Sequence, residues 1–186
     1  MASIESTVRA EPIALSHPNP TVSTKKKTEH GAKRSHDRML LSQGLLLHFF
    51  ANLSLTADVE EPLYLAGLGR PHHRILFFAE HAPGITVSEL LDAVHVTHQN
   101  LRLPMKRLVD MGYLLMKSGV SDRRQRQLFI TVKGRRLVDR LKAVQWERIG
   151  RAFMLAGPSA VDGFMKVHAA LLDPKDIAWV ERLTER

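Results

Sequence analysis

Residues Thr86–Gly134 have the sequence TVSELLDAVHVTHQNLRLPMKRLVDMGYLLMKSGVSDRRQRQLFITVKG, and this segment decides the fold of the chain. Thr86 and Glu89 form a capping-box pattern that predicts a helix start, and residues 95–97 break the helical period as a short turn. A second helix runs up to Gly112, and two short strands follow with a basic tip between them. Two helices at a tight turn followed by a basic hairpin are typical of a winged helix-turn-helix, whose second helix lies in a DNA major groove.

The second helix carries a polar face that is suited to reading DNA. Leu101, Met105 and Leu108 recur at helical spacing, so we expect them to face the core. On the other face, Asn and Gln side chains pair with adenine, Arg pairs with guanine, and Lys binds guanine or phosphate. The residues predicted to contact DNA from this helix and its cap are Thr97, His98, Gln99, Asn100, Arg102, Leu103, Lys106 and Arg107.

Pro104 departs from this regular pattern. Proline inside a helix removes one hydrogen bond and clashes with the preceding turn, which costs about 3 kcal/mol or bends the helix. We therefore expect the helix either to begin late, at Gln99 or Asn100, or to bend at Pro104. Thr97 is expected to cap its start.

The hairpin is predicted to be the wing, with strands at Tyr113–Lys117 and Gln127–Thr131. Arginine side chains at a hairpin tip can reach phosphates or a narrow minor groove. Asp122 can hold one of these arginines in a bidentate pair. A surface hairpin without DNA contacts is the alternative. The arginines predicted to bind DNA from the wing are Arg123, Arg124 and Arg126.

The charge distribution supports a DNA-facing surface. The chain has 186 residues and a net charge of +8, and residues 97–140 hold eleven lysines and arginines against three acidic residues. This region therefore accounts for the whole net charge, which favours a phosphate-binding surface over an ordinary solvated face. The chain has no cysteine, which excludes disulfides, thiolate zinc sites and thiol-based sensing.

The flanking segments predict a helical dimerisation region around a winged domain at residues 70–136. Residues 1–36 are expected to be a disordered basic arm, since they carry prolines and a lysine run without an apolar period. Residues 37–69 are expected to be a helix followed by a linker. The helix is apolar on more than one face, which favours a helix shared with a second subunit over an ordinary core helix. Residues 137–186 are expected to form C-terminal helices that pack with the first one. The predicted fold is mainly α with a small β-hairpin.

The segment from Leu90 to Gly134 resembles the MarR family of bacterial transcriptional regulators. The residues that carry the resemblance are Leu90-Leu91, Val96-Thr97, Arg107-Leu108, Gly112-Tyr113-Leu114, Asp122-Arg123-Arg124, Leu128-Phe129-Ile130-Thr131 and Gly134. Two positions depart from the family pattern: His95 stands where the turn often has glycine, and Pro104 replaces an ordinary helix former.

The resemblance implies a homodimer with interlocked terminal helices and two recognition helices on a pseudo-palindromic site. It also implies that Asp122 and Arg124 are the family's wing pair, with Arg124 in the minor groove. Members commonly release DNA when a small aromatic or phenolic anion binds between the helical stalk and the winged domain.

Three histidines are candidates for an effector site at that junction. His48 lies on the first helix, and His72 and His73 lie near the start of another, beside Arg74. The alternative is that they only cap or line a helix. A zinc site is disfavoured because adjacent histidines point to different sides of a helix and no acidic cluster completes a tetrahedron. We expect no cofactor and no metal.

The sequence thus predicts a cytoplasmic transcriptional regulator that binds DNA as a homodimer and acts as a repressor. We expect that it is not an enzyme. No nucleophile elbow, phosphate loop or pair of carboxylates is present. The start of the chain lacks a secretory apolar region, and the run LLLHFFANLSL is shorter than the roughly 18 apolar residues of a membrane span. The alternatives are a winged-helix module that binds a protein instead of DNA, and a small hydrolase using His72 or His73.

Overall fold

The computed structural model describes residues 30–119 and 125–184, and its side chains are described from Asp37 onward. The chain divides into two compact units, Met1–Met39 and Leu40–Arg186. The described part of the first unit is helical. The second unit holds the winged region and the helices that follow it.

The described residues form eight helices and a small antiparallel sheet, which confirms the predicted fold class. Their order is α1 (His30–Ala57), α2 (Glu60–Leu65), α3 (Arg70–His81), β1 (Ile85–Thr86), α4 (Val87–Ala93), α5 (His98–Asp110), β2 (Leu114–Ser118), β3 (Arg126–Ile130), α6 (Val132–Ala156), α7 (Pro158–Ala170) and α8 (Pro174–Thr184). The sheet has the order β1-β3-β2, with β3 in the centre.

Three features of the flanking segments and the sheet differ from the sequence expectation. Helix α1 begins at His30, so residues 30–36 of the predicted disordered arm are helical. The predicted linker contains helix α2, which tolerates Pro62 because proline fits the first turn of a helix. The wing hairpin gains a third strand, β1, whose Ile85 pairs with Leu128. A strand of two residues is too short to show an alternating pattern in the sequence, so only its pairing with β3 identifies it.

Helix α5 is continuous from His98 to Asp110, so the expected late start is wrong, and the alternative of a bend at Pro104 stays a prediction. Thr97 is its N-cap but forms no side-chain capping bond, which corrects that expectation as well. Pro104 lies inside the helix, in its second turn. The burial of Leu101, Met105 and Leu108 offsets the missing hydrogen bond, and the predicted inward face is confirmed.

A single apolar core holds the winged region together. It joins α3, α4, α5, the sheet and the first half of α6 around fully buried side chains. Those with no exposed surface include Ile75, Leu76, Ile85, Leu90, Leu108, Leu114, Leu128, Leu137 and Leu141. Aromatic and aliphatic residues of α8, Trp179 and Leu183, pack against the edge of this core.

Helix α1 is apolar and exposed. The segment Asp37–Leu65 is long and apolar enough for a membrane span by length and composition alone, and none of its window is buried. This differs from the expectation drawn from the shorter run LLLHFFANLSL. The exposed apolar side chains include Met39, Leu40, Leu41, Leu45, Leu46, Leu47, Phe49, Phe50 and Leu53. A surface of this kind is larger than a soluble single chain usually leaves uncovered.

The start of α6 approaches the end of α5 very closely. The Gly134 N–H donates to Thr131 Oγ1 at 3.0 Å, and that hydroxyl donates to the Gly112 carbonyl at 2.8 Å. A Cβ atom at Gly134 would lie 2.2 Å from the Tyr113 carbonyl oxygen. Only glycine therefore allows this contact between α6 and the base of the wing.

We expect Gly134→Ala to destabilise the protein by roughly 1–3 kcal/mol or more, because the backbone of Tyr113 must move to admit the methyl group. The matched control is Gly150→Ala in the same helix, where a Cβ meets nothing within 4 Å. The control should raise stability by up to about 1 kcal/mol through helix propensity. Urea unfolding of both variants measures the difference, and equal midpoints would contradict the assignment.

Candidate nucleic-acid interface

A groove of about 640 Å³ lies between helices α4 and α5 and the wing. Four residues predicted to contact DNA line it together: His98, Arg102, Lys106 and Arg126. The floor is apolar and includes Met105. The other lining residues are Thr86, Val87, Ser88, Leu91, Val109, Asp110, Met116 and Gln125. The structure thus places cations from the recognition helix and the wing on one concave surface.

The cations of this groove differ in how they are held. Arg126 Nη1 donates to Ser118 Oγ at 2.9 Å across the hairpin, which orients the guanidinium. Lys106 Nζ lies 2.5 Å from Asp110 Oδ2, a pair one helical turn apart and largely exposed, so it contributes little to stability. Arg102 is exposed. These groups can therefore exchange their present partners or solvent for phosphate or base edges.

The remaining predicted residues of α5 lie on other parts of its surface. Gln99 and Leu103 are exposed, Leu103 to 67%. Thr97 and Asn100 line a second, shallower cavity beside the turn. Arg107 is also exposed, but its Nη2 lies 3.3 Å from the position of a Cβ at Gly67, so it faces the α2–α3 connection. The predicted tip residues Asp122, Arg123 and Arg124 lie outside the described residues.

Helix α4 begins with the predicted capping box. The Glu89 N–H donates to Thr86 Oγ1 at 3.2 Å, and the Thr86 N–H donates to Glu89 Oε2 at 2.8 Å. Burial alone would raise the pKa of Glu89, but hydrogen bonds from Thr86 and Arg182 outweigh it and hold that pKa below its usual range. Glu89 is therefore a stable carboxylate that fixes the first helix of the helix-turn-helix.

Sequence reasoning missed the contacts that α8 makes with the helix-turn-helix. Arg182 Nη1 donates to Glu89 Oε1 at 2.9 Å, and Asp176 Oδ1 lies 2.8 Å from His95 Nε2. The two residues of each pair are about eighty positions or more apart in the chain, so no local sequence pattern indicates either contact. His95 has a left-handed backbone, with φ of 53°. Glycine adopts this conformation most readily, which agrees with the prediction that His95 stands at a turn position where glycine would be expected.

The three candidate effector histidines have different surroundings. His48 lies beside His168 of α7, with ring centroids 5.6 Å apart. His72 Nδ1 accepts the Gly69 N–H at 3.0 Å and caps α3, while its Nε2 is buried without a hydrogen-bond partner among the described residues. His73 is half-buried on the same helix. In the described part of the chain, no group of three ligands is placed to hold a metal ion.

Burial lowers the pKa of both His72 and His73. The charge of Arg107 lowers the pKa of His72 further, and the charge of Arg74 lowers the pKa of His73 further. Both imidazoles are therefore neutral in the folded protein at a pH where the unfolded chain already binds protons.

The family of this chain follows from comparison with known proteins. A family model described as MarR family matches residues 66–125, which include the recognition helix and the first wing strand. The HTH-type transcriptional regulator PetP of Rhodobacter capsulatus is 38% identical over 134 residues, covering 72% of this chain and 81% of PetP. The chain belongs to the MarR family. It is accordingly a helix-turn-helix transcriptional regulator, and the groove described above lies on its DNA-binding domain.

Solved structures of MarR proteins share this fold. CouR from Rhodococcus jostii RHA1 bound to p-coumaroyl-CoA is 25% identical, with a TM-score of 0.54 over 67% of this chain and 87% of that chain. A structure of the repressor CouR bound to a 23-mer DNA duplex is 24% identical, with a TM-score of 0.57 over 70% of this chain and 94% of that chain. These similarities confirm the winged helix-turn-helix fold.

We expect the unfolding free energy to fall as the pH drops below about 6.5, the ordinary histidine pKa. The direction follows from the lowered pKa values of the two histidines in the folded protein. As the pH falls, the unfolded chain binds protons before the folded protein does, so acid stabilises the unfolded chain. Above about pH 6.5 neither state binds these protons, and the loss of stability disappears. Urea unfolding at pH 7.5 and 5.5 measures the loss. The double variant His72→Asn, His73→Gln should reduce it, whereas the exposed His98→Gln control should not. An equal loss in all three proteins would contradict the assignment.

Proposed function

We propose that this MarR-family regulator binds a pseudo-palindromic operator as a homodimer, with α5 reading bases and the wing anchoring the DNA backbone. The observation that carries the proposal is the shared groove, in which Arg102 and Lys106 of α5 face the same space as Arg126 of β3. Arginine and lysine here serve both base-edge and phosphate recognition. The concentration of the net positive charge in residues 97–140 supports the same surface.

The described members of the predicted DNA-contact set divide into three groups on this basis. His98, Arg102, Lys106 and Arg126 share the groove and are proposed to contact DNA directly. Gln99, Asn100 and Leu103 are exposed on the recognition helix, with Thr97 at its cap, and are proposed to contribute through its N-terminal half. Arg107 faces Gly67 and is the weakest member of the set. The wing arginines Arg123 and Arg124 remain predictions.

The exposed apolar surface of α1 supports the homodimer. Leu41, Leu45 and Leu47 are each more than two-thirds exposed, although water disfavours such side chains strongly. Apolar residues of α6 and α7 are exposed as well, among them Leu155 and Phe164. A symmetric partner that covers these helices would bury them in one self-complementary interface. In the proposed dimer, residues 37–69 and 137–186 form the dimerisation region. We propose that the protein is cytoplasmic, with α1 covered by its partner rather than by a membrane.

A small-molecule effector is proposed at the start of α3. His72 uses Nδ1 as an acceptor, so its buried Nε2 carries the proton and has no acceptor among the described residues. Buried donors without partners cost free energy, and an anionic ligand would supply the missing acceptor. Arg107 brings a positive charge to the same place. CouR binds p-coumaroyl-CoA, which supports an aromatic acyl or phenolic compound as the ligand class. His73 on the same helix, and His48 beside His168 of α7, are the further candidates for effector contact.

A winged-helix module that binds a protein is the second candidate function. Leu103, an apolar side chain 67% exposed in the middle of α5, is the observation that favours it. The surrounding cations argue for DNA, because the centres of protein interfaces are depleted in charge.

We expect Arg102→Ala to weaken operator binding by about 1–3 kcal/mol and to relax sequence preference at one position of each half-site. The operator is first obtained by selecting bound sites from random duplexes, and affinity is then measured by fluorescence anisotropy at fixed salt. Arg70→Ala is the matched control, since Arg70 is an exposed arginine paired with Glu60 and lies outside the segments assigned to dimerisation. A purified chain that selects no duplex would favour the protein-binding alternative.

We expect Leu45→Glu to convert the dimer into single chains, because it places a charge in the proposed apolar interface. Val132→Glu is the control: Val132 is similarly exposed but lies in the first turn of α6, where an acidic residue is favourable. Sedimentation velocity reports the mass of each variant. A wild-type chain that sediments as a monomer at micromolar concentration would disprove the homodimer.

A further inference from the structure

Helix α8 is fastened to the helix-turn-helix of its own chain at both ends. Near its start, Asp176 Oδ1 lies 2.8 Å from His95 Nε2, and near its end Arg182 Nη1 donates to Glu89 Oε1 at 2.9 Å. Between them, Trp179 packs edge-on against Phe78, with ring centroids 5.8 Å apart. The first turn of α8 is therefore held beside the turn between α4 and α5.

His95 connects this first turn to the recognition helix. Lys175 Nζ lies 2.9 Å from His95 Nδ1, on the opposite side of the ring from Asp176. An ammonium group only donates, so Nδ1 supplies a lone pair and Nε2 carries the proton that is donated to Asp176. Both nitrogens of the imidazole are thus engaged by α8. The lysine side chain, which is otherwise long and flexible, is held at one place.

The Lys175 ammonium lies beside residues predicted to contact DNA. It lines a cavity of about 380 Å³ together with Thr97 and Asn100, at the start of α5. Lys175 is exposed. Among residues 37–119 and 125–184, no carboxylate oxygen lies within 4.0 Å of its ammonium nitrogen. The contact with His95 uses one N–H group of the ammonium, so two N–H groups remain free to donate. Asp92 lines the same cavity and would repel an anion enclosed in it. A phosphate that stays in contact with solvent at the outer edge avoids most of this repulsion.

We propose that Lys175 contacts a DNA backbone phosphate next to the bases faced by the N-terminal half of α5, with His95 as its positioning residue. The C-terminal helix then extends the DNA interface beyond the winged domain. This inference rests on the proposed DNA-binding function. The contact is electrostatic and independent of sequence, since a lysine on a phosphate positions the protein without reading bases.

The test is the salt dependence of binding by the full chain, measured on the selected operator and on a mixed-sequence duplex. Each lost phosphate contact reduces the log–log slope by about 0.9, so Lys175→Gln should reduce it by about 1.8 in a dimer, on both duplexes. Lys175→Arg keeps the charge and should retain the wild-type slope. Arg70→Ala removes an exposed cation that lies outside the segments assigned to dimerisation and pairs with Glu60, and it should leave the slope unchanged. These two variants separate loss of this particular contact from loss of charge in general.

The slope also distinguishes a contact from a structural role. A variant that is partly unfolded lowers the active concentration at every salt concentration, whereas a lost phosphate contact changes the slope itself. Wild-type protein that binds neither duplex disproves the proposed DNA-binding function. Wild-type protein that binds, together with a Lys175→Gln slope equal to that of wild type, disproves only the role of Lys175.

His95→Gly tests the positioning role separately. Glycine accepts the left-handed backbone of the turn and removes the imidazole that holds Lys175. Affinity should fall by less than in Lys175→Gln, because the cation remains but is mobile. The double variant should lose no more affinity than Lys175→Gln alone, since the two residues act through one contact. Additive losses would show that His95 does not act through Lys175.

Discussion

The contact between Gly134 and the Tyr113 carbonyl oxygen is the constraint on which the DNA-binding surface depends. A Cβ at Gly134 would lie 2.2 Å from that oxygen, so helix α6 can begin where it does only without one. Thr131 completes the junction, because its hydroxyl accepts the Gly134 N–H and donates to the Gly112 carbonyl. The end of the recognition helix, the base of the wing and the first turn of α6 are thereby joined within a few residues. This junction fixes where the base of the wing meets the end of α5 and the start of α6.

Charge counting located the basic surface but not the direction of each side chain. Arg102 and Lys106 are four residues apart, so they share a helix face and reach the groove. Arg107 follows Lys106 by one residue, which turns it about 100° around the helix and toward Gly67. A count of lysines and arginines does not show which face of the helix each side chain occupies. The helical position of each residue would have separated Arg102 and Lys106, which face the groove, from Arg107, which does not.

The features that were predictable from sequence are those that local chemistry determines. The capping box of Thr86 and Glu89 and the apolar face of α5 follow from side chains within one or two turns of each other. Strand β1 depends instead on pairing with Leu128, and the anchor of α8 joins His95 to Asp176, eighty-one residues away. Periodicity carries no information on such contacts. The left-handed backbone of His95 was foreseeable only as a departure from glycine, and the side-chain contacts of His95 with Asp176 and Lys175 involve residues that are eighty or more positions away.

The same junction suggests how a signal outside the winged domain can reach the DNA surface. Arg148 of α6 forms a bidentate pair with Asp58, at 2.5 and 2.6 Å, and this pair holds the pKa of Asp58 below its usual range. Lys142 of α6 also pairs with Glu80 of α3. Helix α6 is thus connected to the segment after α1, to α3 and, through Gly134, to the base of the wing. A ligand that binds better to one arrangement of α6 and α3 than to another shifts the population of those arrangements, and the junction at Gly134 connects α6 to the base of the wing. A ligand without such a preference would occupy its site and leave DNA affinity unchanged.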